Sequence, residues 1–154
     1  MLSLRKWFRL PIVWVIVLAA VMTALHGLAL GWRFVFPFQS WIAASLVVFG
    51  LGIVGTSGWA FKQAGTTLNP VTPEQTSTLV TTGWYRYSRN PMYFGFLMAL
   101  LGWAVGLGDI ENTVVLAAFV VLANRRFIQP EEQVLARRFG SDFQQYQQEV
   151  RRWL

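Results

Sequence analysis

Twenty-one consecutive residues without a charge extend from Trp41 to Phe61 and read WIAASLVVFGLGIVGTSGWAF. A second apolar run, Pro11–Leu30, has His26 as its only ionisable residue. A helix rises about 1.5 Å per residue and the hydrocarbon core of a bilayer is about 30 Å thick, so each run is long enough to cross a membrane. With 55% hydrophobic and 13% charged residues, the chain is predicted to be an integral membrane protein.

Two shorter apolar runs follow. Met92–Gly108 is uncharged, and Thr113–Ala123 has only 11 residues, which cover roughly 17 Å. The fourth span must therefore continue through Phe127 and Ile128, and the polar residues Asp109–Asn112 predict a tight helical hairpin before it. We predict an all-α fold of one membrane domain, residues 1–154, with transmembrane helices at about 11–31, 41–61, 91–108 and 112–128.

The basic residues are distributed unevenly between the two predicted sides of the membrane. The chain has 13 Lys and Arg against 7 Asp and Glu, a net charge of +6. Four spans place all of these cations except Arg33 on one side, which the positive-inside rule assigns to the cytoplasm. We therefore expect an inner-membrane protein with both termini cytoplasmic. The cations flank the apolar runs, which favours contact with anionic lipids and argues against a nucleic acid partner.

Cysteine and histidine are scarce. Without cysteine, neither a disulfide framework nor a thiolate metal site can form. A lone histidine in an apolar span, His26, is more typical of a packed or hydrogen-bonded residue than of a ligand. We predict no metal site.

Small residues recur in the second and third spans at the spacing that lets helices approach closely. They are Gly52, Gly55, Gly58, Gly95, Ala99, Gly102 and Gly106. Packing is the simplest interpretation of most of them. For Gly95 and Ala99, near a polar cluster, space for a ligand is the alternative.

The segments outside the spans differ in character. Residues 62–82 are rich in Gly, Thr, Pro and Asn, which predicts an ordered loop or partial lid. After Pro130, one apolar stripe recurs every three or four residues and predicts an amphipathic helix, with a break at Gly140. The stripe comprises Leu135, Phe139, Phe143, Tyr146 and Val150. This tail is expected to lie on the cytoplasmic interface or to fold back over the spans.

Polar groups concentrate where the third span begins, in the stretch Thr82–Gly95, TGWYRYSRNPMYFG. Pro91 suits the first position of a helix, so Arg86 and Arg89 lie beside free N–H groups that favour an anion. Interfacial anchoring explains these residues equally well.

A second polar cluster, Pro130-Glu131-Glu132, begins the tail. The helix dipole alone explains carboxylates there, although a cationic or polyhydroxyl ligand is an alternative. Because both clusters are predicted to be cytoplasmic, we expect them to meet in one site.

The same two clusters carry a family resemblance. Leu79–Gly83 leading into Tyr85–Gly95 is similar to the signature of the isoprenylcysteine carboxyl methyltransferase family. The block Pro130–Leu135, with the apolar residues of the tail, resembles that family's C-terminal block, and the related phospholipid methyltransferases share much of it. The resemblance runs from about Gly65 to the end of the chain, so the catalytic part is expected at about 65–154.

The resemblance implies an enzyme that transfers a methyl group from S-adenosylmethionine to a lipophilic acceptor in the membrane. It implies catalytic roles for Arg89, Asn90 and Glu132. The expected cofactor-binding residues are Tyr85, Arg86, Arg89, Asn90, Tyr93, Glu131 and Glu132. The cofactor carboxylate has four candidate partners, namely Arg86, Arg89, Arg125 and Arg126. Many relatives carry histidine at position 90, and asparagine forms hydrogen bonds but does not titrate.

Three other functions are compatible with parts of the sequence. The first is a membrane reductase of the sterol-reductase type, which uses NADPH and resembles the same blocks. The others are a small transporter, for which His26 is the only ionisable residue within the first two spans, and a non-catalytic lipid-binding protein. A lipid carboxylate, a phospholipid amine and a hydrophobic thiol all stay open as methyl acceptors.

Overall fold

The structure is a computed structural model that describes residues 10–28, 31–65 and 77–154. Its helices are α1 (Pro11–Leu28), α2 (Gln39–Gln63), a 3₁₀ turn (Gly83–Arg86), α3 (Pro91–Leu107), α4 (Asn112–Leu122), a π-helical segment (Ala123–Ile128) and α5 (Gln129–Glu149). In these ranges the only extended pairing is an isolated bridge between Arg33 and Asp109. The all-α prediction is confirmed. Most of the predicted loop, residues 66–76, and the first nine residues lie outside the described part.

The apolar helices follow the predicted spans closely. Helices α1 and α2 and the continuous run Asn112–Glu149 are long and apolar enough to cross a membrane. Helix α3 is apolar but has 17 residues, about 26 Å, and is therefore shorter than the hydrocarbon core. The fourth span continues past residue 122 as predicted, in π-helical form. Its extension joins the tail helix without a break.

Helices α2 and α3 pack at glycine positions. A Cβ atom on Gly50 would lie 2.4 Å from the carbonyl oxygen of Gly95, and one on Gly102 would lie 2.6 Å from that of Ala43. Only glycine permits such backbone contact, so Gly95 serves packing and does not make room for a ligand. The packing interpretation is wrong for Gly52 and Gly55 within the described structure, because a Cβ atom added at either position would meet no other described residue within 4 Å.

A buried core fills the space between α1, α3 and α4. Met22, Leu100 and Phe119 are almost completely inaccessible to solvent. They belong to one contiguous hydrophobic cluster, which extends to Phe127 and Ile128 at the beginning of the tail. The core therefore anchors the tail helix to the spans.

Polar contacts close the end of the bundle where α1 ends and α4 begins. Asp109 lies 2.7 Å from His26 Nδ1 and accepts a hydrogen bond from Arg33 Nε at 3.1 Å. The backbone of Phe34 donates to the carbonyl of Gly108, whose positive φ of 77° ends α3. The hairpin at residues 109–112 is confirmed, and so is the hydrogen-bonded role of His26.

The tail helix folds back over the opposite end of the bundle. Gly140 adopts φ 51° and ψ −119°, a conformation that kinks α5 where the break is predicted. Phe143 and Tyr146, both on the predicted apolar stripe, are buried. The Tyr146 hydroxyl donates to the carbonyl of Tyr85 at 2.6 Å, which attaches the tail to the segment before α3.

Candidate active site

The two polar clusters meet at the end of the bundle where α3 begins. Arg89 Nη2 and Nε donate to Glu132 Oε1 at 3.0 and 3.2 Å. Both side chains are about nine-tenths buried. Residues 43 positions apart in the chain thus form a direct ion pair in one cluster.

Glu132 is shared between two arginines. Arg152, near the C-terminal end of the described chain, donates to Glu132 Oε2 at 2.7 Å and to Oε1 at 3.3 Å. With the two bonds from Arg89, both oxygens of this buried carboxylate are engaged. A buried carboxylate needs this degree of pairing to stay ionised. The geometry makes Glu132 a link between α3, α5 and the last residues.

Arg89 also caps the C-terminal end of α5. Its Nη1 donates to the carbonyls of Val150 at 2.6 Å and Gln147 at 3.2 Å. Its backbone N–H donates to the backbone carbonyl of Arg151 at 2.9 Å. A cation at this position satisfies the last carbonyls of a helix and opposes its dipole. Sequence reasoning missed this role because carbonyl acceptors leave no residue signature.

Asn90 precedes Pro91, which occupies the first position of α3 as predicted. Its side chain does not cap its own helix. Instead Nδ2 donates to the carbonyl of Arg152 at 3.1 Å, while the backbone N–H donates to Ser88 Oγ at 3.1 Å. Asn90 is buried and, like Arg89, binds a carbonyl of residues 147–152, a segment called here the C-terminal strap.

Glu131, adjacent to Glu132, has a different environment. Its only hydrogen bond from a described residue comes from the Tyr93 hydroxyl at 3.4 Å, and it forms no ion pair with any described cation. Enclosure by neighbouring groups raises the pKa of Glu131 to about 7, and the nearby Glu132 charge adds to this effect. The carboxylate is therefore only partly ionised near neutral pH.

Tyr85 lies close enough to Glu131 to be affected by its charge. Burial, and then the charge of Glu131, raises the pKa of Tyr85 well above its ordinary value. The ring also packs edge-on against Phe61, with centroids 5.3 Å apart. Tyr85 and Tyr93 thus flank a single carboxylate.

Further aromatic rings pack beside Tyr93 and the π-helical segment. Tyr93 stacks on Phe127 of the π-helical segment at a centroid distance of 6.1 Å. Asn124 in the same segment accepts a hydrogen bond from the Trp153 indole at 3.3 Å. Sequence reasoning missed Phe61, Phe127 and Trp153, since aromatic residues at membrane boundaries are too common to be diagnostic.

The remaining predicted cations face outward. Arg86, Arg125 and Arg126 are exposed and make no hydrogen bond or ion pair with any residue in the described ranges. Arginines beside an apolar helix commonly extend their charged ends to solvent or headgroups in this way. These three side chains remain available for an anionic group.

One buried polar atom near this end has no partner. Ser57 is 1% exposed, and its hydroxyl forms no hydrogen bond among the described residues. It lies on α2 seven residues after Gly50, which contacts α3, so it shares the same helix face. A buried hydroxyl without a partner is unusual in a folded protein.

Comparison with known proteins assigns the chain to a family. Residues 38–142, well over half of the chain, match the family model described as phospholipid methyltransferase. The chain belongs to the phospholipid methyltransferase family. The matched range contains the α2–α3 pair and both polar clusters, but ends before Tyr146 and the C-terminal strap.

Two curated proteins are similar to parts of this phospholipid methyltransferase family member. An uncharacterized protein of Haemophilus influenzae is 36% identical over 63 residues, which cover 41% of this chain and 100% of that protein. The protein-S-isoprenylcysteine O-methyltransferase of Schizosaccharomyces pombe is 31% identical over 94 residues, 59% of this chain. The chain matches only 40% of the length of that enzyme. No solved structure gives a significant match.

Membership of this family, together with the apolar helices, supports a methyltransferase embedded in a membrane. The resemblance inferred from the two clusters is confirmed at the level of the superfamily.

Proposed function

We propose that this protein transfers the methyl group of S-adenosylmethionine to a lipophilic acceptor at the cytoplasmic face of the membrane. The observation that carries the proposal is the half-buried Glu131 carboxylate, which has two tyrosines and no cation beside it in the described structure. An enclosed carboxylate of this kind is stabilised by a cationic ligand. S-adenosylmethionine offers two cationic groups, an ammonium and a sulfonium.

The donor set around Glu131 fits this cofactor. Ionised Glu131 accepts hydrogen bonds from an ammonium or from ribose hydroxyls, and the Tyr93 hydroxyl fixes its orientation. The faces of Tyr85, Tyr93 and Phe127 suit a cation or an adenine ring. Ser57, buried and unpartnered on α2, offers a further hydroxyl.

Arg89, Asn90 and Glu132 are assigned a positioning role here, in place of the direct catalytic role that the resemblance implies. Arg89 and Glu132 bind each other, and both Arg89 and Asn90 bind carbonyls of residues 147–152. These contacts hold α5 against the beginning of α3 and thereby set the position of Glu131 relative to Tyr93. Residues that lock a site in this way are as necessary as those that touch the ligand.

The cofactor carboxylate is assigned to one of the exposed arginines. Arg89 uses four of its five N–H donors on protein acceptors, which leaves Arg86, Arg125 and Arg126 as the unpaired cations among the four predicted candidates. A guanidinium binds a carboxylate through two parallel hydrogen bonds. Separate Arg→Gln substitutions at the three positions identify the partner as the one that weakens cofactor binding.

The chemistry demands little covalent assistance from the protein. S-adenosylmethionine supplies a methyl group that the sulfonium already makes electrophilic. The protein orients the acceptor in line with that group and excludes water, to which the aromatic walls and the apolar helices contribute. A carboxylate or thiolate acceptor needs no general base, whereas a protonated amine does.

Cofactor binding by the purified protein tests the proposal. Radiolabelled S-adenosylmethionine should bind, and NADPH should not compete. Tyr93→Phe and Glu131→Gln should each weaken binding by at least about tenfold, because a hydrogen bond to a charged group contributes about 1.5–3 kcal/mol. The matched controls are Tyr87→Phe and Glu149→Gln, which change an exposed tyrosine and an exposed carboxylate. Binding of NADPH, or equal affinity in all four variants, would contradict the proposal.

The acceptor is identified by a second experiment. Membrane lipids extracted from the source cells are incubated with methyl-labelled cofactor and the protein, and the labelled product is characterised by mass spectrometry. We expect a labelled lipid-soluble product, absent with the Glu131→Gln variant. Label found only in water-soluble products would refute the lipophilic acceptor.

A further inference from the structure

The opposite end of the bundle contains a cavity that the proposed methyl transfer does not use. Its volume is about 590 Å³. It lies where three helices end, because its lining includes His26 in the last turn of α1, Gln39 at the start of α2 and Leu107 at the end of α3. From Tyr93 to Gly106, which also lines the cavity, α3 rises about 20 Å. The cavity is therefore separate from the candidate active site.

The position of the cavity corresponds to the headgroup depth of a bilayer. Apolar helices end where the hydrocarbon core ends. Aromatic residues, which concentrate at this boundary, supply much of the wall. The apolar part of the lining consists of Phe34, Val35, Phe36, Phe38, Trp41 and Leu107.

A cation with unused hydrogen-bond donors lines the cavity. Arg33 and His26 line it, and no Asp or Glu is among its lining residues. Asp109, which binds both side chains, is 7% exposed and lies behind them. Arg33 donates through Nε to Asp109 and through Nη2 to the carbonyl of His26, so its Nη1 group has no acceptor among the described residues. The half-exposed guanidinium of Arg33 is thus fixed in position and has N–H donors that no described residue uses.

Polar groups at the start of α2 line the same cavity as this guanidinium. Ser40 lines the cavity with an exposed hydroxyl, and it lies in the first turn of a 25-residue helix. The N–H groups of a first turn lack intrahelical acceptors and favour negative charge. Arg33, Ser40 and this turn supply polar groups to a cavity whose other lining residues are largely aromatic.

We propose that this cavity binds the phosphate group of a phospholipid from the leaflet opposite the candidate active site. The phosphate diester accepts hydrogen bonds from Arg33 and Ser40, a pairing that guanidinium geometry favours. The glycerol ester region and the first acyl carbons contact Phe36, Trp41 and Leu107. Apolar contacts of this kind distinguish a lipid phosphate from free phosphate. The bound lipid bridges the ends of α1, α2 and α3.

Thermal unfolding of the purified protein in a non-ionic detergent, followed by tryptophan fluorescence, tests the proposal. Three probes are compared at equal ionic strength: dihexanoyl-phosphatidylglycerol, dihexanoylglycerol, which lacks the phosphate, and inorganic phosphate. Only the phospholipid is expected to raise the unfolding midpoint saturably. An equal response to dihexanoylglycerol would overturn the role of the phosphate. A saturable response to inorganic phosphate alone would overturn the assignment to a lipid.

Two variants address the residues. Arg33→Gln is expected to weaken the apparent phospholipid affinity by at least about tenfold, the effect of losing one charge-assisted hydrogen bond. Because this change also removes the pair with Asp109, Ser40→Leu provides an independent test that fills the cavity and leaves that pair intact. The control Lys62→Gln removes a cation from the other end of α2 and should bind normally. Unchanged affinity in Arg33→Gln and Ser40→Leu would refute the site.

Discussion

Replacement of Glu132 by leucine distinguishes between two possible roles of this residue, namely holding α5 in position and contacting the cofactor directly. The substitution leaves Arg89 buried without its carboxylate, although the carbonyls of Gln147 and Val150 still accept from Nη1. Removal of one partner from a buried ion pair costs about 3–5 kcal/mol. Since two acceptors remain, the lower end of this range applies, about 3 kcal/mol. The second partner, Arg152, is 37% exposed and contributes at most about 1 kcal/mol.

The double variant Glu132→Leu/Arg89→Met provides the sharper comparison. Glu132→Leu leaves the Arg89 charge without its carboxylate, and Arg89→Met leaves Glu132 with Arg152 as its remaining ion-pair partner among the described residues, whereas the double substitution removes both members of the buried pair. Its cost should therefore be about 2 kcal/mol less than the sum of the two single costs, a coupling typical of groups in direct contact. The matched control is Arg152→Ala, which breaks only the more exposed pair and should cost about 1 kcal/mol or less.

The assay is the free energy of unfolding in mixed micelles, from SDS titration followed by tryptophan fluorescence, with cofactor binding measured on the same preparations. Additive costs, with a coupling below about 0.5 kcal/mol, would refute the ion pair as the link between α3 and α5. If Glu132→Leu unfolds like the unmodified protein but no longer binds S-adenosylmethionine, Glu132 contacts the cofactor directly. In that case the positioning role is wrong.

Three further predictions concern single positions. Gly50→Ala should lower the free energy of unfolding by about 2 kcal/mol, because the added Cβ meets the Gly95 carbonyl. Gly52→Ala has open space around the added Cβ and should raise the free energy of unfolding by about 0.5–1 kcal/mol. SDS titration measures both changes, and equal effects would contradict the contact between α2 and α3. In the cofactor-free protein, Ser57→Ala should raise the free energy of unfolding by about 1 kcal/mol, since it removes a buried hydroxyl that has no hydrogen-bond partner among the described residues. A lower free energy of unfolding in this variant would show that the hydroxyl is hydrogen-bonded. The pKa of Glu131 is raised to about 7, so the folded state favours the protonated carboxyl. The stabilisation that protonated Glu131 gives the fold is complete below about pH 4.5 and is lost as the pH rises through 7, by up to about 3 kcal/mol. Unfolding titrations between pH 4.5 and 8 should show this fall in the free energy of unfolding, and Glu131→Gln should reduce it.

The spans were predictable because membrane insertion depends on length and hydropathy, which a sequence displays directly. Pro91 marked the start of α3 and Gly140 marked the kink in α5, since each residue type restricts or frees the backbone in a known way. The meeting of the two clusters followed from topology, which placed both on one side. The described bounds of α1, α2 and α3 lie within about three residues of the predicted ones, whereas the fourth predicted helix continues without a break into α5.

Other features could not be predicted from the sequence because they depend on which atoms are in contact in the folded structure. Nothing in the pattern of glycines distinguished Gly50, which contacts α3, from Gly52, which faces open space. The difference between Glu131 and Glu132 also arises only in three dimensions. Adjacent residues on a helix point in different directions, so Glu132 reaches two arginines while Glu131 faces Tyr93. The capping of α5 by Arg89 involves carbonyl groups, which every residue carries.

The glycine contacts between α2 and α3 also restrict how the candidate site can open. Carbonyl oxygens of one helix lie where a methyl group on the other would clash, so these two helices cannot slide past each other without losing that fit. The tail, in contrast, is attached by buried apolar residues such as Phe143 and also by hydrogen bonds and ion pairs whose partners water can replace. Admission of a water-soluble ligand should therefore proceed by local displacement of α5, and high salt should accelerate exchange of that ligand mainly by weakening the partly exposed Arg152–Glu132 pair, while leaving the α2–α3 pair intact.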